Sequence, residues 1–502
     1  MRFFIISLTL QSVLGTTQRH VLLERGIPSG WNRLETVVPT NHTFTMDIPL
    51  VLKDEGKSIL AAATSRSNPS SPFYGQWLTK NEINDLLDPI PGTFSAVHAW
   101  LNSCQVPRTT IVQHASAFKI VHVSKDTILC LLQAELSHFV RISDGFIHIA
   151  VHGQLSIPYN LRKMISFIPG LVDFPLPSKL HVSKKNKKKK RTKVDRVDKG
   201  IVAPKTIQAL YNIPNSWYNT TSLSKTTLLV AEFLSETSYI PAFVFGDKST
   251  KEPGFFKEAG LNTPIGGADA VKIVGTFKPD GGELEAELDI QYSASTARGV
   301  SLVYWTTAAW MYEFTTNLFA GKNGVDGSNV DVVSISFTWS EAKECTTPSG
   351  TANPTCTALK VQSKEYVERV NIEFAKLSAM GVSIFVSSGD DGAPGNLGDC
   401  TEGNVLDSSY PASSQWVTTV GATMLASSLT SELHSEAYKS HSEDPICKDN
   451  NGCATSSHEI ACSYPSAGIT TGGGFSVFTP RPSWQNKAVS KYLSSGNKFP
   501  PR

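Results

Sequence analysis

The sequence has little net charge, no long apolar segment and no cysteine pattern typical of zinc. Its 502 residues carry a formal net charge of +2, so the overall charge does not point to nucleic acid or to acidic partners. The main apolar run, at the N-terminus, is too short to cross a bilayer. The spacing of Cys447, Cys453 and Cys462 matches no common zinc site. We therefore expect no nucleic-acid partner, no membrane span and no zinc centre.

Histidine is missing from the stretch where a Ser-His-Asp hydrolase would need it. None lies between Gly200 and Leu433. Three histidines follow that stretch, in a segment without strand character: His434, His441 and His458. A Ser-His-Asp triad is therefore a poor fit to this sequence.

Residues 1–15 have the features of a secretory signal peptide. Arg2 is followed by an apolar run from Phe3 to Leu10 and then by small residues up to Gly15. The alternative, a short buried N-terminal strand, is the weaker interpretation. We therefore expect a secreted, extracellular protein.

Export makes the eight cysteines candidates for disulfides. Cys345 and Cys356 flank a polar loop that a local disulfide could close. Asn41 and Asn219 begin triplets that accept glycosylation, which fits export but is weak evidence by itself.

A basic block divides the sequence in two. Residues 184–193 consist almost entirely of lysine and arginine, and such a run cannot pack in a folded core. We interpret residues 184–200 as a cleavable linker between a first domain at 16–183 and a second at 201–502. The alternative is a patch that binds a polyanion.

The two domains differ in pattern. In the first, a helix is expected to begin at Thr79, and residues 118–123 alternate like a half-buried strand, which indicates an α+β domain with one antiparallel sheet and helices on one face. In the second, near-continuous apolar runs alternate with helical stretches such as 364–380, as in strands buried on both faces. This alternation predicts an α/β domain with a parallel sheet and helices on both faces.

Three carboxyl groups are candidates for chemistry. Glu285 and Asp289 are four residues apart, so on a helix they share one face, and two carboxylates that close favour sharing a proton. Such a pair could activate a hydroxyl in acid, where histidine would be protonated. Glu283 and Glu287 have the same spacing, so spacing alone leaves the register open. Asp390 follows a buried strand, where parallel sheets place their sites. Without the other motifs, the acidic residues would more often form a solvated helix face, and Asp390 would more often be a residue of a tight turn.

Four segments, in this order, make the chain similar to the sedolisins, the serine-carboxyl peptidases: GGELEAELDIQY, FVSSGDDGAPG, YPASSQWVTTVGAT and TTGGGFSVFTPRPSWQ. The resemblance implies a subtilisin-like second domain and makes residues 16–183 an activation domain. It assigns Glu285 as general base, Asp289 as its proton-sharing partner and Asp390 as the donor to an oxyanion. It also implies polypeptide substrates, a monomer, and a calcium site in the complete domain that cannot be located in these residues. Ser414 stands where many relatives have a half-cystine, which leaves Cys400 without that partner.

The family's nucleophile segment, G-T-S-x-S-x-P after the GGGF segment, does not occur in these residues. Ser349 lies in a faintly similar segment, but that segment has Ala352 at the serine position and precedes Asp390. The sequence therefore supports two hypotheses. One is a secreted acid peptidase whose sequence is truncated here, with tripeptide release preferred over internal cleavage. The other is an inactive homologue that binds peptides or acts as an inhibitor. In either case we expect the 502 residues to hydrolyse no peptide and the second domain, ending at Arg502, to be poorly stable.

Nine histidines lie before the linker: His20, His42, His98, His114, His122, His138, His148, His152 and His181. The plain interpretation is that they are scattered over the surface. The sharper one is that some lie neutral against the second domain, become charged in acid and weaken the contact.

Overall fold

A computed structural model describes residues 18–25, 27, 31–142, 145–166, 168, 171, 200–218, 223–233, 238–247, 253–307, 310–344, 363–393, 408–425, 444–448, 452–462 and 467–495. The predicted signal peptide and the predicted linker up to residue 199 lie outside these residues. So do Asn219 and three cysteines: Cys345, Cys356 and Cys400.

The first domain contains seven strands and four α-helices among the described residues. Its strands are β1 (Arg19–Arg25), β2 (Trp31–Arg33), β3 (Thr43–Pro49), β4 (Ile111–Gln113), β5 (Ala117–Ser124), β6 (Glu135–Arg141) and β7 (Ile147–Pro158). Its helices are α1 (Lys57–Ser67), α2 (Lys80–Leu86), α3 (Thr93–Ser103) and α4 (Lys125–Leu132).

Local sequence signals explain several of these elements. Helix α2 begins after Thr79, whose hydroxyl accepts from the backbone N–H of Glu82 while the Glu82 carboxylate accepts from the N–H of Thr79. This reciprocal capping box is the start that the sequence predicts. Strand β5 buries Phe118, Ile120 and Val123, which confirms the predicted strand.

The strands of this domain form two antiparallel sheets, not the single predicted one. The first sheet has the order β1-β7-β6-β2, and the second has the order β3-β5-β4. Helix α4 lies between β5 and β6 along the chain, and these two strands belong to different sheets.

The second domain is organised around a six-stranded parallel sheet with the order β15-β13-β11-β8-β10-β9. The strands of the domain are β8 (Thr227–Glu232), β9 (Val271–Val274), β10 (Ser301–Thr306), β11 (Val332–Ile335), β12 (Trp339–Ser340), β13 (Ser383–Ser387), β14 (Ser409–Tyr410), β15 (Thr418–Val420), β16 (Thr423–Leu425) and β17 (Glu459–Ala461). Its helices are α5 (Pro204–Leu210), α6 (Asn215–Tyr218), α7 (Pro241–Phe245), α8 (Phe255–Glu258), α9 (Leu284–Thr296), α10 (Met311–Ala320), α11 (Ser363–Ala379), α12 (Pro445–Lys448) and α13 (Asn486–Leu493).

Both faces of this sheet are covered by helices. On one face, Leu229 and Ala231 of β8 pack in a core with α10 and α11. On the other, Val230 packs in a second core with Ala286 and Ile290 of α9. Because neighbouring residues of a strand point to opposite faces, β8 needs apolar side chains in succession. This burial accounts for the near-continuous apolar runs.

Two disulfides are present among the described residues, Cys104–Cys130 and Cys447–Cys453. Cys462 is a buried free thiol. Within the part of the chain that the structure describes, no helix is long and apolar enough to cross a membrane. No cluster of three or more His, Cys, Asp or Glu side chains suited to a metal ion occurs there either.

Candidate active site

Polar side chains follow three neighbouring strands of the parallel sheet at the same edge. Glu232 is the last residue of β8, Ser336 directly follows β11, and Asp390 comes three residues after β13. The carboxyl ends of parallel strands meet at one edge, which is where α/β proteins build their sites. Helix α9 begins at Leu284 and presents Glu285 and Asp289 towards this edge.

Asp289 is held by two side chains from the sheet. Its Oδ2 atom accepts a hydrogen bond of 2.6 Å from the Ser336 hydroxyl. It also shares a side-chain hydrogen bond with Glu232, and a bond between two carboxyl groups requires a proton on one of them. Burial raises the pKa of the Asp289 carboxyl, while the two hydrogen bonds act in the opposite direction. The site is therefore suited to holding a proton among acidic groups.

The structure also brings Glu285 and Asp390 into electrostatic range of each other. Burial, then the nearby Asp289 carboxylate and then Asp390 raise the pKa of Glu285 to about 7. Each neighbouring negative charge disfavours ionisation of the others. All three carboxyl groups selected from the sequence thus lie in one cluster.

Glu287 lies outside this cluster and has a different task. Its Oε1 atom accepts a hydrogen bond of 2.6 Å from the Ile240 N–H, and its Oε2 atom accepts one of 3.0 Å from Gln291 Nε2. The bond from Ile240 ties α9 to the start of α7, and the bond from Gln291 holds the Glu287 side chain within α9. The other acidic residue of that spacing, Glu283, precedes the helix as its N-cap residue. Two pairs of acidic residues have the same spacing, and the geometry therefore favours Glu285 and Asp289 as the candidate catalytic pair.

Sequence reasoning missed Glu232. The residue is fully buried at the end of the apolar run of β8. Burying a carboxyl group at the end of an apolar strand costs free energy unless the group is hydrogen-bonded. An acidic residue at the end of a buried apolar run is therefore the signal that could have identified Glu232.

The Gly-rich segment lies against the turn that carries Asp390. The Gly472 N–H donates to the Gly389 carbonyl at 2.9 Å and to the Ser388 hydroxyl at 3.0 Å. The Thr470 N–H donates to the Asp390 carbonyl at 2.6 Å. A Cβ atom on Gly472 would lie 1.8 Å from the Ser388 carbonyl oxygen, so only glycine permits this approach.

A buried carboxylate joins the Gly-rich segment to the turn after β14. Glu341 is fully buried and accepts from the hydroxyls of Ser408 (3.1 Å), Ser413 (2.8 Å) and Ser476 (2.7 Å). It also accepts from the Val477 N–H at 2.7 Å. Four donors satisfy this buried charge.

Beside Glu341 opens a cavity of about 930 Å³, whose lining includes Ser388, Ser413, Gly473, Phe475 and Trp484. The cavity extends from the Asp390 turn along the Gly-rich segment, and its volume suits part of a peptide chain.

Ser414 takes part in a hydrogen bond where relatives have a half-cystine. Its hydroxyl is buried and donates to Asn371 Oδ1 at 2.6 Å. The turn after β14 is thus attached to α11 without a disulfide at this residue.

An α/β domain with helices on both faces of its sheet, a cluster of carboxyl groups at the sheet edge and an α+β domain before it are the parts expected of a peptidase zymogen. The family model "Pro-kumamolisin, activation domain" matches residues 29–174. Physarolisin of Physarum polycephalum is 31% identical over 442 residues, which are 87% of this chain and 68% of that protein. The chain belongs to the sedolisin family of serine-carboxyl peptidases.

Two further proteins are similar to this chain. Human tripeptidyl-peptidase 1 is 25% identical over 478 residues, covering 95% of this chain and 73% of that protein. The solved structure of Pseudomonas sedolisin, a serine-carboxyl proteinase complexed with two molecules of pseudo-iodotyrostatin, aligns with a TM-score of 0.36 at 20% identity. It covers 58% of this chain and 67% of that one. Family membership and the observed sheet together confirm the predicted fold class, a subtilisin-like α/β domain preceded by an α+β activation domain.

Proposed function

We propose that the protein is a secreted peptidase, made as a zymogen, that acts in acid and releases tripeptides from the N-termini of polypeptides. The observation that carries this proposal is the convergence of Glu285, Asp289 and Asp390 at one sheet edge. Similarity to human tripeptidyl-peptidase 1 supports tripeptide release. We further propose that the enzyme acts as a monomer, with cleavage in residues 184–200 separating its activation domain.

Each carboxyl group has a distinct role in this proposal. Glu285 accepts the proton of a serine hydroxyl as that oxygen attacks the scissile carbonyl, and Asp289 orients Glu285 and shares the proton. A protonated Asp390 donates a hydrogen bond to the developing oxyanion. The serine would come from a G-T-S-x-S-x-P segment, which residues 1–502 do not contain. A calcium ion is proposed for the complete family domain; among the described residues no three or more His, Cys, Asp or Glu side chains are grouped to hold one.

The coupled carboxyl groups set the pH range of this mechanism. Between the two ionisation steps of the pair, one member carries the negative charge that a base needs and the other retains a proton. Since burial and the neighbouring carboxylates raise the pKa of Glu285 to about 7, the pair as a whole loses its shared proton as the pH rises through about 7. Activity should therefore be present in acid and absent at neutral to alkaline pH.

The test compares two peptides with a version of the chain that carries the nucleophile segment. One peptide has a free N-terminus, the other the same sequence with an acetylated N-terminus, and products are identified by mass spectrometry at pH 4.5 and pH 7.5. We expect tripeptides from the free peptide at pH 4.5 only. Internal cleavage of both peptides would overturn tripeptide release, and equal rates at the two pH values would overturn the carboxyl mechanism. The 502-residue chain, tested in parallel, should hydrolyse neither peptide.

A further inference from the structure

The activation domain is docked directly onto α10 and α11 of the second domain. The Leu78 N–H donates to the Ala379 carbonyl at 2.8 Å, and the Lys80 ammonium donates to the Ala320 carbonyl at 2.6 Å. Lys119 donates to the Asn317 side chain. The fit is close, because a Cβ atom on Gly381 would lie 2.8 Å from the Trp77 ring. These bonds fix the ends of both helices against the activation domain.

Charged side chains are buried at this contact. On α11, Glu373 lies between Arg369, at 3.3 Å, and Lys376, and all three are buried. From the activation domain, the half-buried Asp47 on β3 faces Lys119 and also Lys322 of the second domain. Positive groups thus outnumber negative ones where the domains meet.

His114 lies in this cationic setting, in the turn between β4 and β5. Its backbone N–H donates to the Ala117 carbonyl at 2.8 Å, which closes the turn. Its Nε2 atom is buried and has no hydrogen-bond partner among the described residues. The charged groups facing it are Lys80 from α2, Lys119 from β5, and Lys376 and Glu373 from α11.

A proton on His114 would add a fourth positive charge beside three lysines, and within the described part of the chain Glu373 is the one carboxylate that faces His114. Burial, and then the lysines, lower the pKa of His114 to about 4 in the docked state. The imidazole is therefore neutral while the domains are together, even in mild acid.

We propose that His114 is the proton sensor that weakens the docking of the activation domain in acid. This rests on the proposed function, because it regulates access to the same site.

Protonation of His114 makes the docking affinity fall as the pH falls. Once undocked, His114 is free of Lys376 and more hydrated, so it takes up a proton below its ordinary pKa of about 6.5. Docking is therefore at full strength above pH 6.5 and weakens as the pH falls from about 6.5 towards 4. With these two pKa values, the affinity at pH 5 is about thirty-fold lower than at pH 7.5.

The experiment uses the full chain with a site for a sequence-specific protease placed within residues 184–193. After cleavage, the two parts are held together only by docking. No disulfide connects them, since Cys104 and Cys130 are the only cysteines before the linker and bond to each other. The dissociation constant of the nicked complex is measured by size-exclusion chromatography over a concentration series at pH 7.5 and pH 5.

Four variants are compared with the parent in this assay. The parent and His98→Gln should weaken by about thirty-fold at pH 5, because His98 is exposed and bonds only to Gln113 Oε1 at 2.7 Å. His114→Gln should lose most of this change. His114→Lys should dock weakly already at pH 7.5 and change little in acid. Asp47→Asn should retain most of the change.

A His114→Gln complex that weakens as much as the parent would overturn the proposal. The proposal would also be overturned if Asp47→Asn were the variant that removes the pH-dependent change in affinity. If His114→Gln fails to fold, His114→Lys and His98→Gln still test the proposal. A His114→Lys complex that docks as tightly as the parent at pH 7.5 would contradict the role of His114 as the sensor. The readout is association, so a negative result leaves the proposed peptidase site untouched.

Discussion

Replacing Gly472 by alanine should loosen the turn that carries Asp390, and the neighbouring Gly473 offers a matched control. The new Cβ would lie 1.8 Å from the backbone carbonyl oxygen of Ser388, and backbone cannot move aside as a flexible side chain can. The segment must shift by more than an ångström, which breaks the bonds from the Gly472 N–H to Gly389 and Ser388. Two hydrogen bonds at about 1 kcal/mol each, plus residual strain of about 1 kcal/mol, give about 3 kcal/mol of destabilisation.

The assay is thermal unfolding of Gly472→Ala and Gly473→Ala in the full chain, followed by tryptophan fluorescence. A Cβ atom on Gly473 would meet nothing within 4 Å, so its alanine variant should unfold within about 1 °C of the parent. Gly472→Ala should unfold about 6–12 °C lower, since 1 kcal/mol shifts a domain of this size by about 2–4 °C. Equal midpoints for the two variants would refute the close approach between the Gly-rich segment and the Asp390 turn.

Two further predictions concern Ser336 and Glu341. Ser336→Ala removes the 2.6 Å bond that favours the charged form of Asp289, so the pKa of Asp289 should rise by about 0.7 unit for a bond of about 1 kcal/mol. In a version with the nucleophile segment, the pH at which peptide hydrolysis is lost should rise accordingly, and an unchanged pH profile would contradict this. Glu341→Ala leaves four donors, one buried and three partly buried, without their acceptor and should destabilise the domain by about 3 kcal/mol in thermal unfolding. The control Glu368→Ala, at an exposed side chain, should change stability by less than about 0.5 kcal/mol, and a similar loss in both would count against the Glu341 contacts.

The elements that could be predicted are those with a local cause. Thr79 and Glu82 form a capping box within four residues, and α11 spans Ser363–Ala379 where the predicted helix spans 364–380. Strand β8 is apolar from Leu228 to Ala231 because both of its faces are buried. In each case the physical reason lies within a short window of sequence.

The parts that could not be predicted depend on contacts between distant residues. The spacing of the acidic residues of α9 permits several pairs, and only the bonds from Ile240 and Gln291 to Glu287 assign that residue to a structural task. Glu232 is separated from Asp289 along the chain, and its place beside it follows from the order of strands in the sheet. The division of the first domain into two sheets likewise depends on strand pairing.

The sequence also could not identify which of the histidines before the linker responds to acid. Their abundance indicates a possible response to acid but does not say which of them matters. The structure places His114 against α11, while His98 is exposed and bonds to Gln113. His181 lies outside the described residues, as does the side chain of His152.

The central claim is that Glu285, with Asp289, is the base of a carboxyl site. The most direct measurement is the turnover of an N-terminally free peptide at pH 4.5 by Glu285→Gln and Glu287→Gln variants of a version with the nucleophile segment. Glu285→Gln should lower kcat by at least about a thousand-fold with an unchanged unfolding temperature, because its amide cannot accept the proton. Glu287→Gln should retain turnover within about three-fold, since its amide oxygen can still accept from the Ile240 N–H. Normal turnover by Glu285→Gln, with loss in Glu287→Gln, would contradict the account.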